Sequence, residues 1–265
     1  MTWNDWLNQA SILIPRNDAV AILLACFYSE ADPSWLVLHG DEAISEIDLE
    51  DIIQPANDCV QLRQKGTPLA YVLGETYFYG RKFWLGPPGA QVLIPRPETE
   101  IIVDAVKKMH PQNILDVGTG SGCIAITLKL ELPDVEVAAC DISEDALYAA
   151  RENAKALGAK IKFIKSDLLN NITDDYDVVV ANLPYVDESW DWIDKDALSH
   201  EPSIALYAED GGLALIKKLI EQSVGRTKYL ILEADPCQHE RIVEFADNHN
   251  YRLLETRGFC LVLTK

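Results

Sequence analysis

Near the middle of the chain the sequence reads Asn113-Ile114-Leu115-Asp116-Val117-Gly118-Thr119-Gly120-Ser121-Gly122. Its first half, residues 113–117, is mostly apolar and predicts a β-strand, and its second half carries three glycines at alternate positions. Residues 123–132 then predict an apolar helix that Pro133 stops. In an open parallel sheet, ligands bind beyond the carboxyl ends of the strands, where glycines let a ligand approach the backbone. The stretch therefore predicts a Rossmann-like α/β domain with a ligand site at this turn.

Strand and helix signals alternate from residue 96 onward, which is typical of a parallel sheet covered by helices. Further strands are predicted over residues 135–140, 161–164, 177–181 and 229–233. Helices are predicted from the Ser143 cap to Gly158 and near residues 212–223 and 236–248. Two strand-like runs, 251–255 and 259–263, predict a terminal hairpin. We expect a mostly parallel seven-stranded sheet with this antiparallel hairpin at its C-terminal end.

The first part of the chain has a different pattern. Residues 18–28 and 49–65 show helical spacing, and strand signals before residue 70 are weak. Residues 77–97 are rich in aromatic residues, glycine and proline, which predicts a short hairpin and a connector. The sequence thus predicts three parts: a small helical domain over residues 1–75, a hairpin and connector over 76–97, and the α/β domain over 98–265.

Composition narrows the function classes. The 265 residues are 48% apolar and 25% charged, as in ordinary globular proteins, and the net charge is −19. This acidic balance argues against broad nucleic-acid binding, which depends on Lys and Arg, so no direct nucleic-acid partner is expected. Apolar runs stay far below the roughly 20 residues of a membrane-spanning helix, and no export signal is evident. We expect a cytoplasmic monomer that contacts no membrane and, because its cysteines and histidines are scattered, holds no metal.

The glycine turn favours a cofactor without a pyrophosphate. A dinucleotide-binding turn needs G-x-G-x-x-G, but Cys123 occupies the third glycine position counted from Gly118. The remaining G-x-G-x-G suits the amino-acid and ribose parts of S-adenosyl-L-methionine (SAM).

Two acidic positions extend this cofactor site. Asp141 ends the next predicted strand, where a carboxylate accepts hydrogen bonds from both ribose hydroxyls; alternatively it only caps the following helix. Asp167 and Leu168 follow the third strand and are expected to bind and pack an adenine, although an ordinary polar loop is the alternative.

Asn182-Leu183-Pro184-Tyr185, directly after the fourth strand, is the most informative motif of the chain. The pattern [N/D]-x-P-[Y/F] at this place is typical of enzymes that methylate a nitrogen conjugated to a π-system. The Asn182 side-chain oxygen and the Leu183 carbonyl are expected to accept its two N–H groups. Pro184 stiffens the turn, Tyr185 offers a flat face for the planar acceptor, and Asn182 also borders the cofactor. Without the sheet in front of it, the motif predicts only a turn.

These features resemble a known family, the N5-glutamine methyltransferases of peptide chain release factors. The most specific similarity is Leu93-Ile94-Pro95-Arg96-Pro97-Glu98-Thr99-Glu100. The other matching segments are Pro68-Leu69-Ala70-Tyr71-Val72-Leu73-Gly74, Phe78-Tyr79-Gly80 and Glu201-Pro202 with Ala205-Leu206. The sequence departs from the family at Leu183, where a second proline is usual, and at Ala208-Glu209, which bears on fine specificity.

The resemblance implies a function and assigns residues to it. SAM is the methyl donor, S-adenosyl-L-homocysteine is the product, and the substrate is the glutamine of the Gly-Gly-Gln loop of a class 1 release factor. The 93–100 segment would border the SAM pocket, and the helical domain would dock the substrate. Residues 182–185 would hold the glutamine amide. The residues implied to hold SAM are Gly118, Thr119, Gly120, Ser121, Gly122 and Asp141.

Two other functions remain open from the sequence. An adenine-N6 methyltransferase shares the chemistry, but it needs a basic groove and a pocket for a flipped base, which the net charge and the 93–100 segment oppose. A catalytically silent SAM-binding adaptor is the other, and the intact Asn182 and Pro184 oppose it.

Overall fold

The structure is a computed structural model that describes residues 1–27, 32–87, 89–90 and 92–265, with the side chains of Asp196 and Ala197 left out. It contains two compact units, Met1–Gly74 and Glu75–Lys265. The three-part division at 75/76 and 97/98 stays a prediction. Tyr28, the last residue of a predicted helix, and two residues of the predicted connector, Pro88 and Gln91, lie outside the described residues.

The first unit is helical. Its helices are α1 (Trp3–Leu13), α2 (Arg16–Ala25), α3 (Pro33–His39), α4 (Glu46–Asp48), α5 (Gln54–Gln64) and α6 (Leu69–Leu73), with a π-helical stretch, Leu49–Ile53, between α4 and α5. Pro55, in the first turn of α5, has no N–H to donate to the preceding turn, which accounts for that widening.

The sequence prediction missed α1, α3, α4 and α6. The start of α1 carries a capping box, in which Thr2 and Asp5 exchange side-chain and backbone hydrogen bonds. Trp3 and Trp6 on α1 are buried in the core of this unit with Ile22 and Leu23 of α2. The cap was therefore a readable signal, and so was the i, i+3, i+4, i+7 spacing of Trp3, Trp6, Leu7 and Ala10.

The second unit opens with a hairpin. Its strands are β1 (Glu75–Phe78) and β2 (Arg81–Trp84), which pair antiparallel. The two turn residues, Tyr79 and Gly80, both have positive φ, as a type I′ turn requires.

A seven-stranded sheet in the order β5-β4-β3-β6-β7-β9-β8 forms the centre of this unit. Its strands are β3 (Asn113–Val117), β4 (Glu136–Asp141), β5 (Lys162–Lys165), β6 (Tyr176–Ala181), β7 (Thr227–Glu233), β8 (Arg252–Arg257) and β9 (Cys260–Thr264). The first five are parallel, and β9 is antiparallel to both β7 and β8. The predicted fold is confirmed, with strand ends shifted by up to two residues.

Helices cover the sheet. They are α7 (Glu100–Lys107), α8 (Cys123–Glu131), α9 (Glu144–Leu157), α10 (Lys195–Leu198), α11 (Ser203–Leu206), α12 (Ala214–Ser223) and α13 (His239–Asp247), with short 3₁₀ turns at Pro97–Thr99 and Pro236–Gln238. Neighbouring residues of β3 bury their side chains on opposite faces. Ile114 packs in the cluster that includes α7 and α8, and Leu115 packs in the cluster that includes α12 and α13.

The chain order reverses between β3 and β6. Strands β3, β4 and β5 run outward in one direction, and the chain then returns to place β6 on the other side of β3. Ligands bind at such a switch point, outside the carboxyl ends of the strands. The loops that follow β3, β4 and β6 therefore meet where a site is expected.

None of the helices in the described ranges combines the length and apolar character that crossing a bilayer requires.

Candidate functional site

A cavity of about 240 Å³ lies at this switch point. Most of the residues predicted for the site line it: Gly118, Thr119, Gly120, Ser121, Asp141, Asp167, Leu168, Asn182, Leu183 and Pro184. Gly122 and Tyr185 do not. The glycine turn and the Asn182 turn, which the sequence predicted separately, thus share one cavity.

The glycine turn is held by a carboxylate beneath it. Asp116, at the end of β3, accepts hydrogen bonds through Oδ2 from the Thr119 hydroxyl (2.6 Å) and from Ala125 N (3.2 Å). No described residue donates to its Oδ1. Burial raises the pKa of Asp116 to about 7. Asp116 therefore fixes the turn from inside, below the cavity.

The alternate glycines have different neighbours. Gly120 has φ +57°, and among described residues no atom lies within 4 Å of where its β-carbon would be. At Gly122, with φ +82°, a β-carbon would lie 2.8 Å from Ile126 Cδ1 and 3.1 Å from Ala150 Cβ. Gly120 thus leaves the cavity open to a ligand, whereas Gly122 lets helices α8 and α9 approach each other.

Asp141 joins the glycine turn to the next strand. Its Oδ2 accepts a hydrogen bond from Gly120 N and its Oδ1 accepts one from Ser143 N, both at 2.9 Å. Ser143, not Asp141, caps α9 through Ala146 N. Burial raises the pKa of Asp141, against the lowering by its backbone donors. Each carboxylate oxygen keeps a lone pair, so the side chain is able to accept ribose hydroxyls as well.

The loop after β5 closes another side of the cavity. Asp167 accepts hydrogen bonds through Oδ2 from Lys218 Nζ (2.6 Å) and Asn170 Nδ2 (3.1 Å). Leu168 is buried and has φ +48°, a strained conformation for leucine of the kind that concentrates at ligand sites. The positions of Asp167 and Leu168 are compatible with an adenine next to Leu168. The roles of these two residues stay predictions.

The Asn182 turn packs directly on the glycine turn. A β-carbon on Gly118, where φ is +73°, would lie 2.9 Å from Leu183 Cδ2. Asn182 donates a hydrogen bond through Nδ2 to Thr99 Oγ1 (3.1 Å), and Thr99 lines the cavity from the 3₁₀ turn before α7. The hydrogen bond to Thr99 thus fixes the nitrogen end of the Asn182 amide.

Sequence reasoning missed Glu233, the last residue of β7. It is 2% exposed, and the Tyr185 hydroxyl donates to its Oε1 (3.3 Å). Burial raises the pKa of Glu233, while the side chains of Thr99, Tyr185 and Asn182 favour the charged form. Tyr185 therefore directs its hydroxyl to Glu233, and its predicted stacking on the substrate remains untested.

Gln238 was also missed. Its Nε2 donates to the carbonyls of Tyr185 (2.8 Å) and Gly211 (2.7 Å). The next residue, Gly212, has φ +81°, and a β-carbon there would lie 1.9 Å from the Tyr185 oxygen. Gln238 and Gly212 together fix the backbone where the Asn182 turn ends.

The 93–100 segment contacts the site at several points. Leu93, Pro95 and Thr99 line the cavity. Arg96 donates a hydrogen bond through Nη2 to Oε1 of Glu201, whose side chain is buried. Two segments that resemble the family, 93–100 and 201–206, are therefore joined by an ion pair beside the cavity.

No group of three or more His, Cys, Asp or Glu side chains in the described ranges has an arrangement suited to a metal ion.

Comparison with known proteins agrees with the geometry. A family model described as the methyltransferase small domain matches residues 97–199, and one described as the PrmC N-terminal domain matches residues 3–74. A release factor glutamine methyltransferase of Neisseria gonorrhoeae is 37% identical over 88% of this chain and 84% of its own length. The chain belongs to the release factor glutamine methyltransferase family. A second member, from Enterococcus faecalis, is 41% identical over 71% of this chain and 67% of its own length.

Membership of this family makes the chain a SAM-dependent methyltransferase, as the sequence predicted. The cavity residues fit that cofactor, because Gly120 leaves room at the turn and the buried Asp141 carboxylate offers acceptors beside it.

Solved structures support the fold. The hMettl16 catalytic domain in complex with MAT2A 3′UTR hairpin 1 is 16% identical, with a TM-score of 0.54 over 79% of this chain and 77% of that chain. The T. thermophilus 16S rRNA N2 G1207 methyltransferase (RsmC), in complex with AdoMet and guanosine, is 14% identical, with a TM-score of 0.53 over 72% of this chain and 49% of that chain. At these identities the likeness concerns the fold alone.

Proposed function

We propose that this enzyme methylates the side-chain amide nitrogen, N5, of the glutamine in the Gly-Gly-Gln loop of a class 1 peptide chain release factor. The observation that carries the proposal is the shared cavity, where Gly118, Gly120 and Asp141 lie with Asn182 and Leu183. The family relatives support the choice of substrate, since they are named for release factor glutamine.

The cofactor site is formed by the glycine turn and the carboxylates beside it. Asp141 would accept the ribose hydroxyls, and Leu168 would pack against the adenine. The backbone at Gly118 and Gly120 would hold the amino-acid part of SAM. When bound, SAM supplies an electrophilic methyl group.

The chemistry is carried by the Asn182 turn. An amide nitrogen is a poor nucleophile because its lone pair is delocalised into the carbonyl. Asn182 Oδ1 and the Leu183 carbonyl accept its two N–H groups, so the lone pair turns toward the methyl and the developing positive charge is stabilised. Aligning two reactants in this way supplies on the order of 7–11 kcal/mol at best.

No strong general base is needed. The nitrogen becomes acidic when it is methylated, and its proton then leaves to solvent. The products are N5-methylglutamine and S-adenosyl-L-homocysteine. Tyr185 packs against the planar amide, and the helical domain over residues 1–75 docks the release factor.

Mass mapping of methylated residues tests the function. The enzyme is incubated with SAM and either a class 1 release factor or structured RNA. We expect one methyl group on the Gly-Gly-Gln glutamine and none on the RNA. A methyl group found only on adenine would refute the proposal. A release factor with glutamine replaced by asparagine in that loop is the matched control.

A further inference from the structure

Glu233 has no part in the reaction described above, yet it is buried beside the motif that performs it. It ends β7 at 2% exposure, and β7 pairs with β6 so that Leu232 lies opposite Ala181, the residue before Asn182. Its Oε1 accepts the Tyr185 hydroxyl, and no described residue makes a well-formed hydrogen bond to Oε2. Burying a carboxylate with one oxygen that lacks a hydrogen bond costs folding free energy, so a functional role next to Asn182 would explain why Glu233 is there.

The direction of the Asn182 amide supplies that reason. An ionised carboxylate only accepts hydrogen bonds, so the donors around Glu233 point toward it. Thr99 Oγ1 accepts a hydrogen bond from Asn182 Nδ2 at 3.1 Å. The side chains of Thr99 and Asn182 both favour the charged form of Glu233, as donors that face a carboxylate do. Glu233 therefore stabilises the orientation in which Asn182 Nδ2 and the Thr99 hydroxyl lie on its side of the cavity.

We propose that Glu233 and Thr99 are positioning residues that hold the Asn182 amide with Nδ2 toward the protein interior and Oδ1 toward the cavity, where Oδ1 accepts a hydrogen bond from the substrate nitrogen. The proposal rests on the proposed function, since it names what aligns the acceptor of that reaction. With the amide reversed, Nδ2 would face the substrate N–H as a second donor, and Oδ1 would face the carboxylate.

Burial of Thr99 and Glu233 makes this control effective. Thr99 is 1% exposed and Glu233 is 2% exposed, so water does not compete for their hydrogen bonds. Reversal of the amide places its oxygen beside an unscreened negative charge. The Asn182 amide, whose oxygen and nitrogen ends have nearly the same shape, thereby has one stable orientation.

Protonation of Glu233 weakens the arrangement, since a protonated carboxyl group is able to donate to Thr99. The pKa of Glu233 is raised above that of an ordinary glutamate, mainly by burial and also by the exposed Glu98. Among the described residues, Tyr185, Cys123 and Cys260 also interact with Glu233, and Arg96 and Asp235 act on Tyr185 beside it. Burial raises the pKa of Tyr185, Cys123 and Cys260, so these three stay neutral in the range where Glu233 titrates.

Side-chain amide NMR tests the orientation without relying on catalysis. In the ¹⁵N-labelled full chain, the Asn182 NH₂ signals are assigned by their absence in Asn182→Asp. We expect these signals to shift as Glu233 titrates, the shift to vanish in Glu233→Gln, and the shift to diminish in Thr99→Val. If the chemical shifts of the Asn182 NH₂ signals do not change with pH in the unmodified enzyme, the proposal is overturned, whichever substrate the enzyme uses.

Kinetics with the release factor provides the second measurement. We expect Thr99→Val to lower kcat about 10- to 100-fold with SAM affinity within threefold, and Thr99→Ser to restore most of kcat because it keeps the hydroxyl. In the unmodified enzyme, kcat should fall at low pH as Glu233 becomes protonated. Glu233→Gln should lower the maximum kcat and abolish this fall. Glu98→Gln should move the fall to lower pH, because it removes a negative charge that raises the pKa of Glu233. Full activity in Thr99→Val, in a correctly folded protein, would contradict the role assigned here.

If the unmodified enzyme fails to methylate the release factor while the NMR titration behaves as expected, the proposed function fails and the positioning role stands. If methylation occurs and the NMR titration is absent, the positioning role fails alone.

Discussion

A β-carbon on Gly118 would lie 2.9 Å from Cδ2 of Leu183, so the glycine turn and the Asn182 turn are in direct contact. The cofactor and the methyl acceptor are proposed to meet at this contact. The close approach makes Gly118 a sensitive position, because a substitution there affects both turns.

Gly118→Ala should destabilise the protein and weaken SAM binding. A β-carbon at φ +73° and in conflict with Leu183 is expected to lower the free energy of unfolding by about 2–4 kcal/mol. Gly158→Ala is the matched control, since Gly158 has φ +71° and no described atom within 4 Å of the added carbon. It should lose only about 1 kcal/mol and bind SAM normally. Chemical denaturation and calorimetry measure both effects; equal losses in the two variants would contradict the close approach.

Asp141→Asn should weaken SAM binding about 10- to 100-fold, because the charge-assisted hydrogen bonds to the ribose are lost. Asp141→Ala should weaken it further, since Gly120 N also loses its acceptor. Asp167→Ala should have a smaller effect than Asp141→Ala, because Asp167 is more exposed and one of its oxygens is already paired with Lys218. Titration calorimetry gives the order, and the reverse order would disprove the assignment of Asp141 to the ribose.

Asn182→Ala should reduce kcat by about 10²–10³-fold and leave the dissociation constant of SAM within threefold. The reason is that, in the proposed mechanism, Asn182 Oδ1 accepts one of the two substrate N–H groups, whereas the glycine turn and Asp141 provide most of the contacts to the cofactor. Single-turnover transfer and equilibrium binding are measured on the same sample. Undiminished turnover would defeat the mechanism.

Stability should depend on pH through Asp116. Its folded pKa of about 7 lies above the usual value of 3.8, so the native state holds a proton that the unfolded state releases. This contribution to stability is full below pH 3.8 and is lost as the pH rises through 7, amounting to about 4 kcal/mol at most. Compared with Asp116→Asn, the unmodified protein should lose more stability between pH 5 and 8 in urea unfolding. Parallel curves for the two proteins would contradict the assignment.

The sequence predicted those parts of the site that depend on local order. Glycines at alternate positions after a strand identify the turn at 118–122, and Asp141 is found by the end of the next strand. The Asn182 motif was recognised in the same way, because its residues are contiguous.

Glu233, and the contact of Thr99 with Asn182, could not be found in this way, although the family resemblance had placed the 93–100 segment beside the SAM pocket. Glu233 reaches Asn182 only because β7 pairs with β6, a pairing that a single sequence does not specify. Thr99 approaches from a 3₁₀ turn before α7, so its contact depends on how the helix packs on the sheet. The positive φ of Leu168 was equally hidden, because leucine gives no sign of that conformation.

A crystal structure of the full chain with S-adenosyl-L-homocysteine and a release factor fragment carrying the Gly-Gly-Gln loop would show whether the glycine turn and the Asn182 turn bind the two reactants side by side. We expect the sulfur of the cofactor product to lie beside Gly118 and Gly120, and the glutamine amide nitrogen to lie within hydrogen-bonding distance of Asn182 Oδ1 and the Leu183 carbonyl. A glutamine side chain bound away from Asn182, or a cofactor product whose sulfur faces away from that turn, would contradict the proposed mechanism.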